Sequence, residues 1–225
     1  MNHKNDTFKM IVLGSYGVGK TSLVDRLVFN EFKFNETTIG ASFNNIRFTP
    51  PSYKGPDGNF FCNLNIWDTA GQERYRSISQ IYFKDVDIAF MVYNMNNLES
   101  LSDIDSYWLE NFYKNHYLDD KGASNLILYI IGNFADVYYD DRQLPVNIKQ
   151  DADCQYILDK IALTFPNIKF FEVSAKSGYG IQRLYESIFE DLNLKFERLH
   201  APHPPDSEED YFLDSAPQKI GNKCC

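Results

Sequence analysis

The stretch Gly14-Ser15-Tyr16-Gly17-Val18-Gly19-Lys20-Thr21 constrains this chain more than any other. It fits the pattern G-x-x-x-x-G-K-S/T. It also lies between an apolar run, Phe8 to Leu13, and a segment in which Leu23, Val24, Leu27 and Val28 recur at helical spacing. In a strand, glycine-rich loop and helix of this kind, successive backbone N–H groups turn inward around a phosphate, and the helix N-terminus adds its partial positive charge. Lys20 then reaches the terminal phosphates and the Thr21 hydroxyl supplies a magnesium ligand. The expected nucleotide contacts here are Tyr16, Gly17, Val18, Gly19, Lys20, Thr21 and Ser22.

Further strand-like runs fall at Ile46 to Phe48, Phe60 to Trp67, Ile88 to Tyr93, Leu126 to Ile131 and Ile168 to Val173, with helix-like stretches after several of them. The clearest helix places Ile181, Leu184, Tyr185, Ile188, Phe189 and Leu192 on one face. Strands alternating with helices predict an α/β fold, a mostly parallel six-stranded sheet with helices on both faces, because a parallel crossover needs a helix-length connection. Phosphate ligands in such folds bind at the carboxyl ends of the strands. Between two of the strands, Pro50 to Asn59 carries three prolines and an Asp-Gly turn signal, which predicts an antiparallel hairpin with an enlarged tip. From about His200 the apolar periodicity stops, and prolines with the acidic run Glu208-Glu209-Asp210 take over. The expected organisation is one domain over residues 1–199 and a flexible tail over 200–225.

A net charge of −9 leaves no basic surplus to neutralise a phosphodiester backbone, so nucleic acid is excluded as a partner class. No stretch approaches the roughly 18 uninterrupted apolar residues of a membrane span, and the expected compartment is the cytosol. Cys62 and Cys154 stand alone and read as packing residues. Cys224 and Cys225 end the chain, where there is no core for them to fill.

Asp68-Thr69-Ala70-Gly71 closes the strand Phe61 to Trp67 with a carboxylate at its carboxyl end, where a second magnesium-side ligand belongs. Asn133 and Asp136 follow one strand, and Ser174-Ala175-Lys176 follow another, so both sets emerge on the same rim and can meet one base. A carboxylate accepting from the ring N–H and the exocyclic amino group of guanine rejects adenine, which would leave a buried charge unpaired.

The ordered set G-S-Y-G-V-G-K-T, T-T-I-G, W-D-T-A-G-Q-E-R-Y, N-F-A-D and E-V-S-A-K, over about residues 8–198, resembles the small GTPases. Trp67 to Tyr75, Thr38-Ile39-Gly40 and the terminal Cys-Cys look specifically like Rab proteins. Asn2 after the initiator and the absence of a C-a-a-X box fit other branches less well. The resemblance implies a P-loop GTPase fold and a switch that cycles between GTP and GDP with magnesium, hydrolyses GTP slowly and recruits effectors in vesicle-mediated membrane trafficking. In that reading Thr38 closes on magnesium and the γ-phosphate from the first switch, and the Gly71 N–H does so from the second. Phe32 stacks on the base and Gln72 orients the hydrolytic water. The implied metal ligands are Thr21, Thr38 and Asp68, and Cys224 and Cys225 are the implied prenylated residues. Effectors, an exchange factor, a GTPase-activating protein, and prenyl-transfer escort and dissociation-inhibitor proteins are the implied partners. The implied state is a monomer on the cytosolic face of an intracellular membrane, with a cytosolic pool. An ATP-using P-loop enzyme has no use for Asn133, Asp136 and Ser174-Ala175-Lys176. A binding scaffold with impaired hydrolysis is the alternative.

The chain departs from the family pattern at two places in the site. Tyr16 occupies the loop position nearest the γ-phosphate, where Rab proteins usually carry a small side chain. Phe134 stands where the N-K-x-D motif has lysine, and is expected to keep the stacking on guanine while losing the ammonium link to the phosphate loop. The segments Thr49 to Asn59, His116 to Ser124 and Phe134 to Gln150 are longer than is usual in Rab proteins. Long insertions cost little closure entropy and read as tolerated surface loops, with a partner surface as the alternative.

Overall fold

The computed structural model describes residues 6–53, 60–71, 82–116, 126–138, 152–165 and 167–201. In chain order the elements are β1 (Thr7–Leu13), α1 (Lys20–Phe29), β2 (Ala41–Phe48), β3 (Cys62–Thr69) and β4 (Ile88–Asn94), then α2 (Leu98–Asp103), which runs through a π-helical turn (Ile104–Trp108) into α3 (Leu109–His116). After these come β5 (Ile127–Asn133), a 3₁₀ turn (Ala135–Tyr138), α4 (Ala152–Thr164), β6 (Lys169–Glu172) and α5 (Ile181–Leu199).

The strands form one six-stranded sheet in the order β2-β3-β1-β4-β5-β6. All neighbours are parallel except β2 and β3, which pair antiparallel from Ala41 opposite Thr69 to Phe48 opposite Cys62. Burial follows from this order. The inner strand β4 is an unbroken apolar run, as expected where both faces are covered, whereas edge strand β2 is largely solvated. Alternate residues of each strand feed two cores. Met10, Val12, Phe90 and Ile131 pack with Leu23 of α1 and Leu184 and Ile188 of α5. Ile11, Leu13, Met91 and Ile130 pack with Leu101, Trp108, Phe112 and Ile161 from the other side. Helices therefore cover both faces, as the alternation predicts.

The boundaries differ in ways that matter to the site. β3 continues past Trp67 to Thr69, and β5 continues past Ile131 to Asn133, so Asp68 and Asn133 sit on ladder-held backbone and not on loops. On α5, Tyr185 is turned out to the rim against Phe189, while Lys195 and Phe196 extend the buried face further than the periodicity indicates. The described flanks of the enlarged hairpin tip lie back on α5. Tyr53 stacks on Phe60 at 4.3 Å, Phe60 meets Phe196, and the Ser52 hydroxyl donates to Asn193 at 2.8 Å. Residues 54–59 of that tip, the other two inserted segments beyond His116 and Tyr138, Gln72 and the tail with Cys224 and Cys225 lie outside the described residues. Cys62 and Cys154 are buried, and burial pushes the Cys62 thiol up to about 12, consistent with a packing role.

Candidate functional site: a phosphate-and-base cleft

At the carboxyl ends of β1, β3, β5 and β6 the loops enclose a cleft of about 440 Å³, within the usual range for small-ligand sites. The strand ends carry Asp68, Thr69 and Asn133, and the loop after β1 carries Tyr16, Gly17 and Gly19. The segment between α1 and β2 closes one side with Phe32, Thr37 and Thr38. Among the expected contacts, Tyr16, Gly17, Gly19, Lys20, Thr21, Ser22, Phe32, Thr38, Gly71, Asn133, Phe134, Asp136, Ala175 and Lys176 all line this cleft. Val18 does not, because its side chain is packed into the core, and Ser174 is fully buried behind Asp136.

At the phosphate end, Gly17 and Gly19 take positive φ values of 77° and 81°, the conformation that lets consecutive N–H groups face one ligand. Lys20 opens α1 and is buried. Its Nζ donates to the carbonyls of Gly14 and Ser15 at 2.9 and 3.0 Å. Burial pulls the Lys20 ammonium down to about 8, against the raising effect of Asp68. Asp68 is also fully buried, and desolvation pushes its carboxyl above the ordinary value despite the Thr21 hydrogen bond and the Lys20 charge. A phosphate beside the ammonium and a cation beside the carboxylate would each relieve that cost.

The metal reading rests on the donors themselves. Thr21 Oγ1 lies 2.6 Å from Asp68 Oδ2 and 2.8 Å from Thr38 Oγ1, so two hydroxyls and a carboxylate converge at one point. Asp68 Oδ1 is buried with no hydrogen-bond partner among the described residues. A small all-oxygen set with an orphaned carboxylate oxygen suits magnesium, which takes a few protein oxygens and completes its shell with phosphate and water. Gly71 lies tight against the phosphate loop, where a Cβ would fall 2.3 Å from Lys20 Nζ and 2.5 Å from the Ser15 carbonyl oxygen.

At the base end the hydrogen bonds are closed within the protein. Asn133 donates from Nδ2 to the Val18 carbonyl at 3.1 Å and accepts the Ala175 N–H at Oδ1, tying the phosphate loop to the loop after β6. Ser174 Oγ donates to Asp136 Oδ1 at 2.7 Å, and Lys176 Nζ lies 3.9 Å from Asp136 Oδ2. Asp136 is therefore held on one side while facing the cleft. Phe134 has a positive φ of 71°, uncommon for a non-glycine residue and a strain that tends to cluster at ligand sites. Its ring abuts the phosphate loop, since a Cβ on Gly19 would meet two ring carbons at 3.4 and 3.6 Å.

Sequence reasoning missed several contributors. Phe34, Asn35, Glu36 and Val137 line the cleft without belonging to any recognisable spacing, and Thr37 and Thr69 line it from within motifs whose other members were the expected contacts. Ser15 donates from Oγ to Asp103 and accepts from Trp108 Nε1 at 3.4 Å, so the phosphate loop is tied to both ends of the π-helical turn. Nothing in the sequence marks these contacts, because they join residues 88 and 93 positions apart.

The profile of the Ras family matches residues 9–194 of the chain. The chain is 31% identical over 210 residues to GTP-binding protein YPT52 of Saccharomyces cerevisiae, covering 85% of each chain. It is 33% identical over 188 residues to GTP-binding protein ypt5 of Schizosaccharomyces pombe, covering 83% of this chain and 78% of that one. With Ras-related protein Rab7 of Pisum sativum it shares 29% identity over 226 residues, covering 99% of both.

Proposed function

The chain belongs to the Rab branch of the Ras family, as a small GTPase of membrane trafficking that binds GTP and GDP with magnesium, and from that premise we propose how its residues carry the cycle. The observation that carries the proposal is the convergence of the buried Asp68 on Thr21, beside Thr38, where both threonines line the same cleft as Lys20 and Asp136. Lys20 and the N–H groups of the Gly14 to Thr21 loop hold the β- and γ-phosphates, and Thr21, Thr38 and Asp68 hold the ion. Bound there, magnesium neutralises charge that develops between the phosphates. Gln72 orients the attacking water, and the Gly71 N–H meets the γ-phosphate.

Asp136 selects guanine, Phe32 and Phe134 cover its two faces, and the loop Ser174-Ala175-Lys176 completes the rim. Thr38 and Gly71 lie on segments tethered by the γ-phosphate, so hydrolysis frees both and ends the hold on effectors that read the tethered form. An exchange factor and an activating protein set the cycle's two rates. Cys224 and Cys225 carry two prenyl groups, because one chain anchors only marginally and two anchor stably. The lipidated chain rests on the cytosolic face of an intracellular membrane and is extracted into a cytosolic pool by escort and dissociation-inhibitor proteins. Among the described residues no helix is long and apolar enough to cross a membrane.

The test is single-turnover phosphate release from GTP by the purified full chain in magnesium. Release on the order of 10⁻⁴ to 10⁻² per second, slowed by Gln72→Leu, is expected. A chain that retains GTP but releases no phosphate would favour the scaffold reading, and a Gln72→Leu variant as fast as wild type would overturn the assignment of Gln72.

A further inference from the structure

Arg26 lies on α1, away from every motif, yet it makes the densest set of directed bonds near the cleft. Its Nε donates to the Ala175 carbonyl at 2.8 Å, Nη2 to the Lys176 carbonyl at 2.9 Å, and Nη1 to the Asn30 carbonyl at 2.8 Å. A guanidinium presents five N–H donors in a rigid fork, which is why one side chain can grip three carbonyls at once. Two of those carbonyls belong to the base loop. The third belongs to the residue that ends α1, Asn30, whose left-handed φ of 54° returns its own N–H to the Arg26 carbonyl.

The grip on Lys176 reaches Asp136 through bonds that leave little freedom. A peptide group is planar, so fixing the Lys176 oxygen also fixes the Ser177 N–H on the opposite edge of the same plane. That N–H donates to Ser174 Oγ at 3.0 Å, which commits the Ser174 hydroxyl proton to Asp136 Oδ1 at 2.7 Å. The Ala175 carbonyl is held by Arg26 Nε, while the Ala175 N–H donates to Asn133 Oδ1. The same helix begins with Lys20 and Thr21 at the phosphate end, so one side chain ties the phosphate-binding helix to the base-selecting carboxylate.

We propose that Arg26 is a positioning residue for guanine selection, aiming the Asp136 carboxylate through Lys176, Ser177 and Ser174. The inference rests on reading the cleft as a guanine-nucleotide site. Without the fork, the base loop keeps its backbone but loses the lock on its peptide planes, and Asp136 samples rotamers that no longer accept from both the ring N–H and the amino group of guanine. The loss falls on discrimination as well as on affinity, because inosine lacks the amino group and gains less from a well-aimed carboxylate.

The experiment follows the release of fluorescent GDP and fluorescent inosine diphosphate from the full chain, from Arg26→Gln and from Arg26→Lys. Arg26→Gln is expected to release GDP about ten-fold faster, the scale of a lost charge-assisted hydrogen bond. Its inosine diphosphate should be released only a few-fold faster, so the ratio of the two rates narrows. Arg26→Lys keeps the charge but cannot span two carbonyls, and is expected to narrow the ratio in the same direction by less. A rate ratio equal to wild type in both variants, whether or not release is faster, would show general loosening and overturn the proposal. Failure of the wild-type chain to retain GDP would instead count against the nucleotide reading itself.

Discussion

The two ends of the cleft are built on opposite plans. At the phosphate end the protein buries an ammonium and a carboxylate, leaves one carboxylate oxygen without a partner among the described residues, and packs donor hydroxyls onto one another. At the base end Ser174 joins Ser177 to Asp136, and Asn133 joins Val18 to Ala175, all at ordinary hydrogen-bond distances, with Arg26 bracing the loop from behind. One end keeps a buried polar atom that the described residues do not pair, and the other pairs its polar groups within the protein. A switch needs both: the phosphate end must change when one phosphate leaves, and the base end must keep hold of the nucleotide while it does.

The largest expected effect separates the two plans at Lys20. Its ammonium is held below its ordinary value by burial, so without a ligand the charge is a burden, and in the proposed cycle a bound phosphate relieves it. Lys20→Met keeps the length and removes the charge. GDP affinity should fall about a hundred-fold or more by isothermal titration, while the melting temperature of the ligand-free chain changes little, because the relieved desolvation of the ammonium offsets the lost attraction to Asp68 and the lost bonds to the Gly14 and Ser15 carbonyls. A ligand-free chain that melts much lower would show that the bonds from Lys20 to the Gly14 and Ser15 carbonyls hold the loop by themselves, and the contrast between the two ends would be weaker than drawn.

At the base end a smaller effect is expected from Phe134. The missing lysine loses a charge-assisted link to the phosphate loop worth about 1.5 to 3 kcal/mol, and an aromatic face returns about 0.5 to 1.5 kcal/mol through stacking. The ring also abuts Gly19, so a packed contact to the loop survives even though the charge is gone. Phe134→Lys should slow the release of fluorescent GDP about ten-fold. Equal release would mean that stacking and the Gly19 contact compensate fully, making the base end as self-sufficient as the hydrogen bonds alone indicate.

What the sequence made legible follows the same division. Glycine spacing and the Lys-Thr pair announce the phosphate loop because backbone conformation and helix polarity are local, and the alternation of apolar runs with helical spacing announces the sheet. The positions of Asp68 and Asn133 were legible in kind but not in place: each sits on the end of a strand that runs past its apolar run, because ladder bonds to β2, β1 and β4 override the polar side chains. Arg26, Ser15 and Trp108 were not legible at all. Their partners are set by how α1, the phosphate loop and the π-helical turn pack, and no local preference of arginine, serine or tryptophan encodes that. The described flanks of the hairpin tip belong with them, since they read only as part of a tolerated loop until Tyr53 is seen stacked on Phe60 and Phe60 against Phe196.

The smallest expected effect lies at Tyr16, where the two plans meet. The side chain is 61% exposed at the rim of the phosphate end, and its hydroxyl lies 3.4 Å from Thr37 Oγ1, next to the metal-side Thr38. It therefore does two separable things: the ring occupies space over the γ-phosphate end, and the hydroxyl tethers the first switch to the phosphate loop. A bond between two solvent-exposed hydroxyls at that distance contributes little, about 0.5 kcal/mol, so Tyr16→Phe should change GDP release by no more than a few-fold. The ring matters more for access, because an activating protein must bring an arginine to the γ-phosphate. Hydrolysis stimulated by a Rab-type activating domain should therefore rise several-fold in Tyr16→Ser and stay at the wild-type rate in Tyr16→Phe. A rise in both variants would assign the restraint to the hydroxyl tether, and a rise in neither would remove Tyr16 from the control of hydrolysis altogether. The second result would leave the regulation of this end to Thr38 and Gly71, with the phosphate loop serving only as a cradle.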